Sequence, residues 1–189
     1  MPFVARALLR ALLMKKRHFA SLTAQEALHV ALLIEARNAR IYQQFAELFA
    51  SFPDQDSQAI AAVFTEMAEE EEVHGSELQA CYAARYGETE CGVTPEDVQE
   101  LVELPRVPDG SIFAIARAGA ATAPRAQALA IALATEEGAL RFYRGLQEMT
   151  EDPELSLLYE ELGRFEGEHV RVLRNRITLA RQSVNSDLE

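Results

Sequence analysis

Apolar residues recur every three to four positions through most of the chain, the spacing of helices that bury one face. The first such stretch opens with the capping box Thr23-Ala24-Gln25-Glu26 and runs to about Ala50. Its inward stripe reads Leu28, Ala31/Leu32, Glu35, Asn38/Ala39, Tyr42, Phe45 and Phe49. The segment from Ser51 to Asp56, with Pro53 inside it, breaks that helix and starts a second, expected to end near Tyr86. Here the stripe is Ile60, Val63/Phe64, Met67, Glu71, His74, Leu78 and Cys81/Tyr82. A third helix is expected from about Pro124 to Met149, with Leu129, Ala132/Leu133, Glu136, Ala139/Leu140, Tyr143 and Leu146 facing inward. Thr150-Glu151-Asp152-Pro153 supplies a turn, an N-cap and a first-turn proline for a fourth. That helix buries Leu155, Leu158/Tyr159, Leu162, Phe165/Glu166, His169 and Val172/Leu173.

Tight turns make antiparallel neighbours, so the pattern predicts an all-α protein, an antiparallel four-helix bundle over residues 21–182. Residues 87–122 form a long crossover between helices two and three. Thr94-Pro95-Glu96-Asp97 starts a short helix within it, and Ile112 to Ala121 is apolar enough for another. Residues 183–189 form a polar tail, with fraying expected from Gln182 onward.

Each buried stripe carries a carboxylate where an apolar residue is expected, and two also carry an imidazole three residues later. Burying a carboxylate costs several kcal/mol unless something positive pairs with it. Glu35 lies 18 residues before Pro53 and Glu71 lies 18 after it; Glu136 and Glu166 stand 15 residues either side of Glu151. Equal distance from the turn of an antiparallel hairpin means equal height, so the carboxylates face each other. Glu35 to Tyr42 and Glu136 to Tyr143 share Glu and Tyr seven apart, while Glu71-x-x-His74 and Glu166-x-x-His169 share the second spacing. Two lone glutamates and two Glu-x-x-His pairs on four helices are what a carboxylate-bridged pair of metal ions requires. Two bridging carboxylates, one terminal carboxylate and one histidine per ion balance most of the charge of two divalent cations. Carboxylate with imidazole suits iron or manganese. The competing reading, surface charges on misphased helices, needs four coincident phase errors.

Tyr42 and Tyr143 lie two turns from the ligand glutamates on the same face, as hydrogen-bond donors to the site or as core fillers. Glu70, Glu72, Glu137 and Glu168 read as solvated neighbours, with Glu70 and Glu137 left open as extra ligands. His29 reads as a packing residue, and His18 has no assigned role.

The formal charge of −12 disfavours nucleic acid as a partner. It is uneven: the first 20 residues carry +5 and the remainder −17. Residues 1–20 are basic and amphipathic, fitting a helix packed on the bundle or a neighbouring subunit, a transit-like peptide or a membrane-surface anchor. Membrane contact is expected only there, since no apolar run reaches about 18 residues. Cys81 and Cys91 form neither a disulfide framework nor a thiolate metal site, which favours the cytoplasm.

These residues resemble the ferritin-like superfamily and, within it, rubrerythrin-type proteins of the erythrin branch. Leu22 to Leu28, Glu35 to Tyr42, Phe64 to His74, Ala134 to Glu137 with Phe142-Tyr143, and Glu166 to His169 carry the resemblance over about residues 20–175. It implies a centre of two iron ions that consumes peroxide or dioxygen, often in a homodimer or higher homo-oligomer. No rubredoxin module is present, so an external electron donor is expected. Many rubrerythrins have a further glutamate three residues after the third ligand; here that position is Ala139. The leading expectation is therefore a di-iron oxidoreductase that detoxifies peroxide or oxidises iron. The alternatives are a ferroxidase serving storage or transport, a quinone-type hydroxylase using the apolar stretch Ile112 to Ala121, and a metal-free structural bundle.

Overall fold

The computed structural model describes residues 21–89, 91–95, 98 and 122–186. Four long helices account for most of them: α1 (Ala24–Ala50), α2 (Gln55–Tyr86), α3 (Thr122–Met149) and α4 (Pro153–Ser186). The expected boundaries hold to within two residues except at the end of α4, which continues to Ser186 through the segment expected to fray. No proline or glycine interrupts the chain there, so the helix has no local reason to stop. The basic segment 1–20 and the stretch Ile112 to Ala121 lie outside the described residues.

Side-chain caps set the helix starts. Thr23 and Glu26 form the reciprocal capping box, Thr23 Oγ1 accepting from the Glu26 amide and Glu26 accepting from the Thr23 amide. Asp54 caps α2 through the Ser57 amide, and Asp152 caps α4 through the amides of Glu154 and Leu155. Each of these two caps is also held by an arginine from the other hairpin: Arg125 of α3 reaches Asp54, and Arg85 of α2 reaches Asp152 at 2.6 Å. Gly87 ends α2 at φ 64°, a backbone setting that suits glycine.

α1 packs along α2 and α3 along α4, while the two hairpins face each other across a wider gap, approaching most closely between α1 and α3. Long side chains fill that gap in three tiers. At one end Leu28, Ile34, Leu78, Tyr143, Tyr159 and Leu162 form an apolar cluster, onto which the crossover residues Val93 and Val98 dock. At the other end Tyr42, Phe45, Phe49, Phe64, Met67 and Leu129 form a second cluster, with stacked and tilted aromatic rings. Between the two clusters lies a layer of buried polar side chains: Glu35, Asn38, Glu71, His74, Thr135, Glu136, Glu166 and His169. The crossover helix is helical at its described positions, Pro95 and Val98.

Candidate metal centre

All six residues singled out by spacing lie in the central layer. The four glutamates are 0% exposed, His74 is 3% and His169 is 4%. Their ligating atoms form two groups, Glu35 with Glu71 and His74, and Glu71 with Glu136, Glu166 and His169. Within each group these atoms lie within 4.8 Å of one another, and Glu71 belongs to both. The first group lies wholly on hairpin α1–α2, whereas the second draws on both hairpins.

The tyrosines cross between hairpins. Tyr42 of α1 donates to Oε1 of Glu136 on α3, and Tyr143 of α3 donates to Oε1 of Glu35 on α1. Each bond fixes a carboxylate so that its other oxygen faces a histidine. Glu35 Oε2 stands 3.5 Å from His74 Nδ1, and Glu136 Oε2 stands 3.4 Å from His169 Nδ1. Two donors bonded to one ion at about 2.1 Å are separated by roughly 3.0–3.5 Å, so these gaps match the room an ion needs.

Several of these atoms have no donor to satisfy them. Glu35 Oε2, both oxygens of Glu71, both oxygens of Glu166 and His74 Nδ1 are buried without a hydrogen-bond partner. Beside Glu71 and Glu166 stand other carboxylates, with which they can do no more than share a proton. Burial first, and then repulsion from Glu35, Glu166 and Glu136, pushes the Glu71 carboxyl well above the usual range. Burial and Glu136 do the same to Glu166. For Glu136 burial works in the same direction but is outweighed by the adjoining Glu166 carboxyl and by hydrogen bonds with His169 and Tyr42, which hold it below its ordinary value. Burial opposes a charge on His169, yet the carboxylates of Glu136, Glu166 and Glu71 close to its Nδ1 raise its pKa well above the usual one. Burial also raises both tyrosines, which stay protonated donors. A single imidazolium leaves the cluster short of positive charge, and the charge on four ionised carboxylates is that which two divalent ions cancel. The donor set fits such ions: it is all oxygen and imidazole, as iron or manganese prefers.

The neighbours sort differently from their sequence reading at one position. Glu70 is not simply solvated: its Oε2 lies 2.6 Å from His169 Nε2. It sits one residue off the buried stripe, at the rim, where spacing alone does not separate a reaching carboxylate from a solvated one. Glu137 is paired with Arg174 and Glu168 with Arg164, while Glu72 is exposed; none joins either group. His29 packs against the Tyr82 ring, outside both groups. Buried Asn38 and Thr135 line the same layer and give no chemical signal in sequence. An open groove of about 1190 Å³ runs past Ile60, Leu129, Leu133 and Ile177, but none of the six residues lines it.

The comparisons with known proteins meet this geometry at the first hairpin. The rubrerythrin family model matches residues 26–110, which hold Glu35, Glu71 and His74. A hypothetical protein from Pyrococcus furiosus has a similar solved structure, with a TM-score of 0.64, 24% identity and coverage of 86% of this chain and 93% of that one. That likeness shows a shared fold. No curated protein matches the chain. Over residues 26–110 the chain is thus similar to the rubrerythrin family, within an all-helical bundle that carries a buried layer of carboxylates and histidines.

Proposed function

We propose that the six residues hold two metal ions, iron with manganese as the substitute, and that the protein is a di-iron oxidoreductase reducing peroxide or dioxygen. The observation that carries this reading is the set of buried, unpartnered carboxylate and imidazole atoms converging between the hairpins. A metal-free structural bundle would have to leave that set uncompensated, at about 1–3 kcal/mol for each unsatisfied group. Bound as Fe(II), the two ions would supply the two electrons that convert peroxide, with two protons, to two waters.

The protein's own residues have distinct tasks in this reading. Glu35 and His74 would hold one ion and Glu136, Glu166 and His169 the other, with Glu71 within reach of both. Tyr42 and Tyr143 orient the Glu136 and Glu35 carboxylates and keep a proton at Oη next to the site. The apolar tiers above and below exclude water. Full burial of the ligands favours a small oxidant over a bulky one. The hydroxylase alternative relied on Ile112 to Ala121, outside the described residues. An external electron donor, a homodimer and a cytoplasmic setting belong to the same proposal. No helix among the described residues is long and apolar enough to cross a membrane.

Anaerobic Fe(II) titration tests the reading. It should saturate at two ions per chain, and the reduced protein should then consume H₂O₂ faster than O₂. Saturation near zero with helicity intact would leave the structural bundle. Faster reaction with O₂ would favour the ferroxidase.

A further inference from the structure

The two histidines are alike on the side that faces the carboxylates and unlike on the other. His169 turns Nδ1 toward Glu71, Glu136 and Glu166, at 3.4, 3.4 and 3.8 Å, and its Nε2 meets Glu70 Oε2 at 2.6 Å. His74 turns Nδ1 toward Glu35, but its ring packs on Phe165, with centroids 4.8 Å apart. The residues responsible occupy equivalent positions. Glu70 precedes the ligand Glu71 on α2 and reaches across to His169 on α4; Phe165 precedes Glu166 on α4 and reaches across to His74 on α2. The contrast extends outward. The Arg164 guanidinium lies 4.2 Å over the Phe165 ring, itself paired with Glu168, so a cation and an aromatic face stand where the other side has a carboxylate.

A carboxylate on the outer nitrogen of a ligating histidine fixes the tautomer with the proton on Nε2. It thereby presents the Nδ1 lone pair to the ion and raises its basicity. An aromatic ring does none of these things. We propose that Glu70 is a positioning residue that makes the two ion positions inequivalent, so that the ion on the His169 side binds first and more tightly than the ion on the His74 side. This rests on the two-ion reading above. Glu70 is 46% exposed, so solvent screens part of its charge, which puts the expected effect at the low end of the 10–100-fold range for such partners, about tenfold.

Anaerobic Co(II) titration, followed by calorimetry and by the visible bands of bound cobalt, separates the possibilities without any turnover. The natural protein should bind in two steps about tenfold or more apart, with His169→Ala removing the tight step and His74→Ala the weak one. Glu70→Leu should bring the tight step down toward the weak one and leave the weak one unchanged within about twofold. Glu70→Gln, which can still accept from Nε2, should fall between the two. Phe165→Glu should tighten the weak step. Two ions bound with both steps unmoved in Glu70→Leu, or both weakened equally, would overturn the role of Glu70 and leave the metal site standing. Absence of Co(II) binding by the natural protein would overturn the metal reading and this inference with it.

Discussion

Hairpin α1–α2 and hairpin α3–α4 repeat the same acting residues and surround them differently. Both place a glutamate and a tyrosine seven residues apart on one helix and Glu-x-x-His on the other, and both send the tyrosine to the opposite hairpin's glutamate. Around that frame the correspondence lapses. Asn38, buried with Nδ2 unpartnered, stands where the second hairpin has buried Ala139, and Glu70 stands where it has Phe165. Groups that must converge on a common point repeat because geometry allows few placements. Those behind them are free to diverge, and the divergence is where two similar positions acquire separate properties.

The largest effect should come from the one residue that breaks the symmetry among the ligands. Glu71 belongs to both groups and Glu166 to one, so Glu71→Ala should bind less than one iron per chain while Glu166→Ala retains about one. Metal analysis after anaerobic loading checks this, and equal losses would restore the symmetry. Second, without metal the same carboxyls are a burden. Glu71→Leu and Glu166→Leu should each stabilise the metal-free protein by roughly 1–3 kcal/mol, read by chemical denaturation in chelator.

Third, pH should act through the same groups. The folded-state pKa values of Glu71 and Glu166 lie above 4.5 and that of His169 above 6.5. The metal-free fold therefore holds protons that the unfolded chain has released. Its stability is fully present below the unfolded values and is lost as pH rises through the folded ones. Glu136, lowered, acts in the opposite sense, contributing stability above 4.5 that is lost as pH falls. With three groups against one, metal-free stability should decline from about pH 5 to pH 8, and metal loading should release protons, seen as a buffer-dependent heat. Smallest, Tyr42→Phe and Tyr143→Phe should each cost about 1–2 kcal/mol, agreeing within about 0.5 kcal/mol; a wider gap would mean that the Phe64 and Tyr159 stacks under the two rings are not equivalent.

Much of this was open to a reader of the sequence because the signals are periodic. A carboxylate on an otherwise apolar stripe, as at Glu35 or Glu166, announces its burial, and equal counts from Pro53 and Glu151 announce its partners. The crossing of Tyr42 and Tyr143 was not legible, since helical phase gives the face a side chain leaves from and not the hairpin on which it ends. Glu70 was hidden for a related reason. At the edge of a stripe about 100° of rotation separates core from solvent, and only the reach of the side chain decides between them. Asn38 and Thr135 had neighbours on the stripe that masked their polarity.

The matched arms, 18 residues on either side of Pro53 and 15 on either side of Glu151, govern how such a chain can change length. A single residue added between Pro53 and Glu71 would turn Glu71 by about 100° and raise it about 1.5 Å past Glu35. Growth is tolerated when both arms lengthen together and by nearly whole turns. The two hairpins already differ by three residues per arm, close to one turn. Insertions in one helix should therefore be answered by insertions in its partner, while the crossover, bound by no such rule, can vary alone.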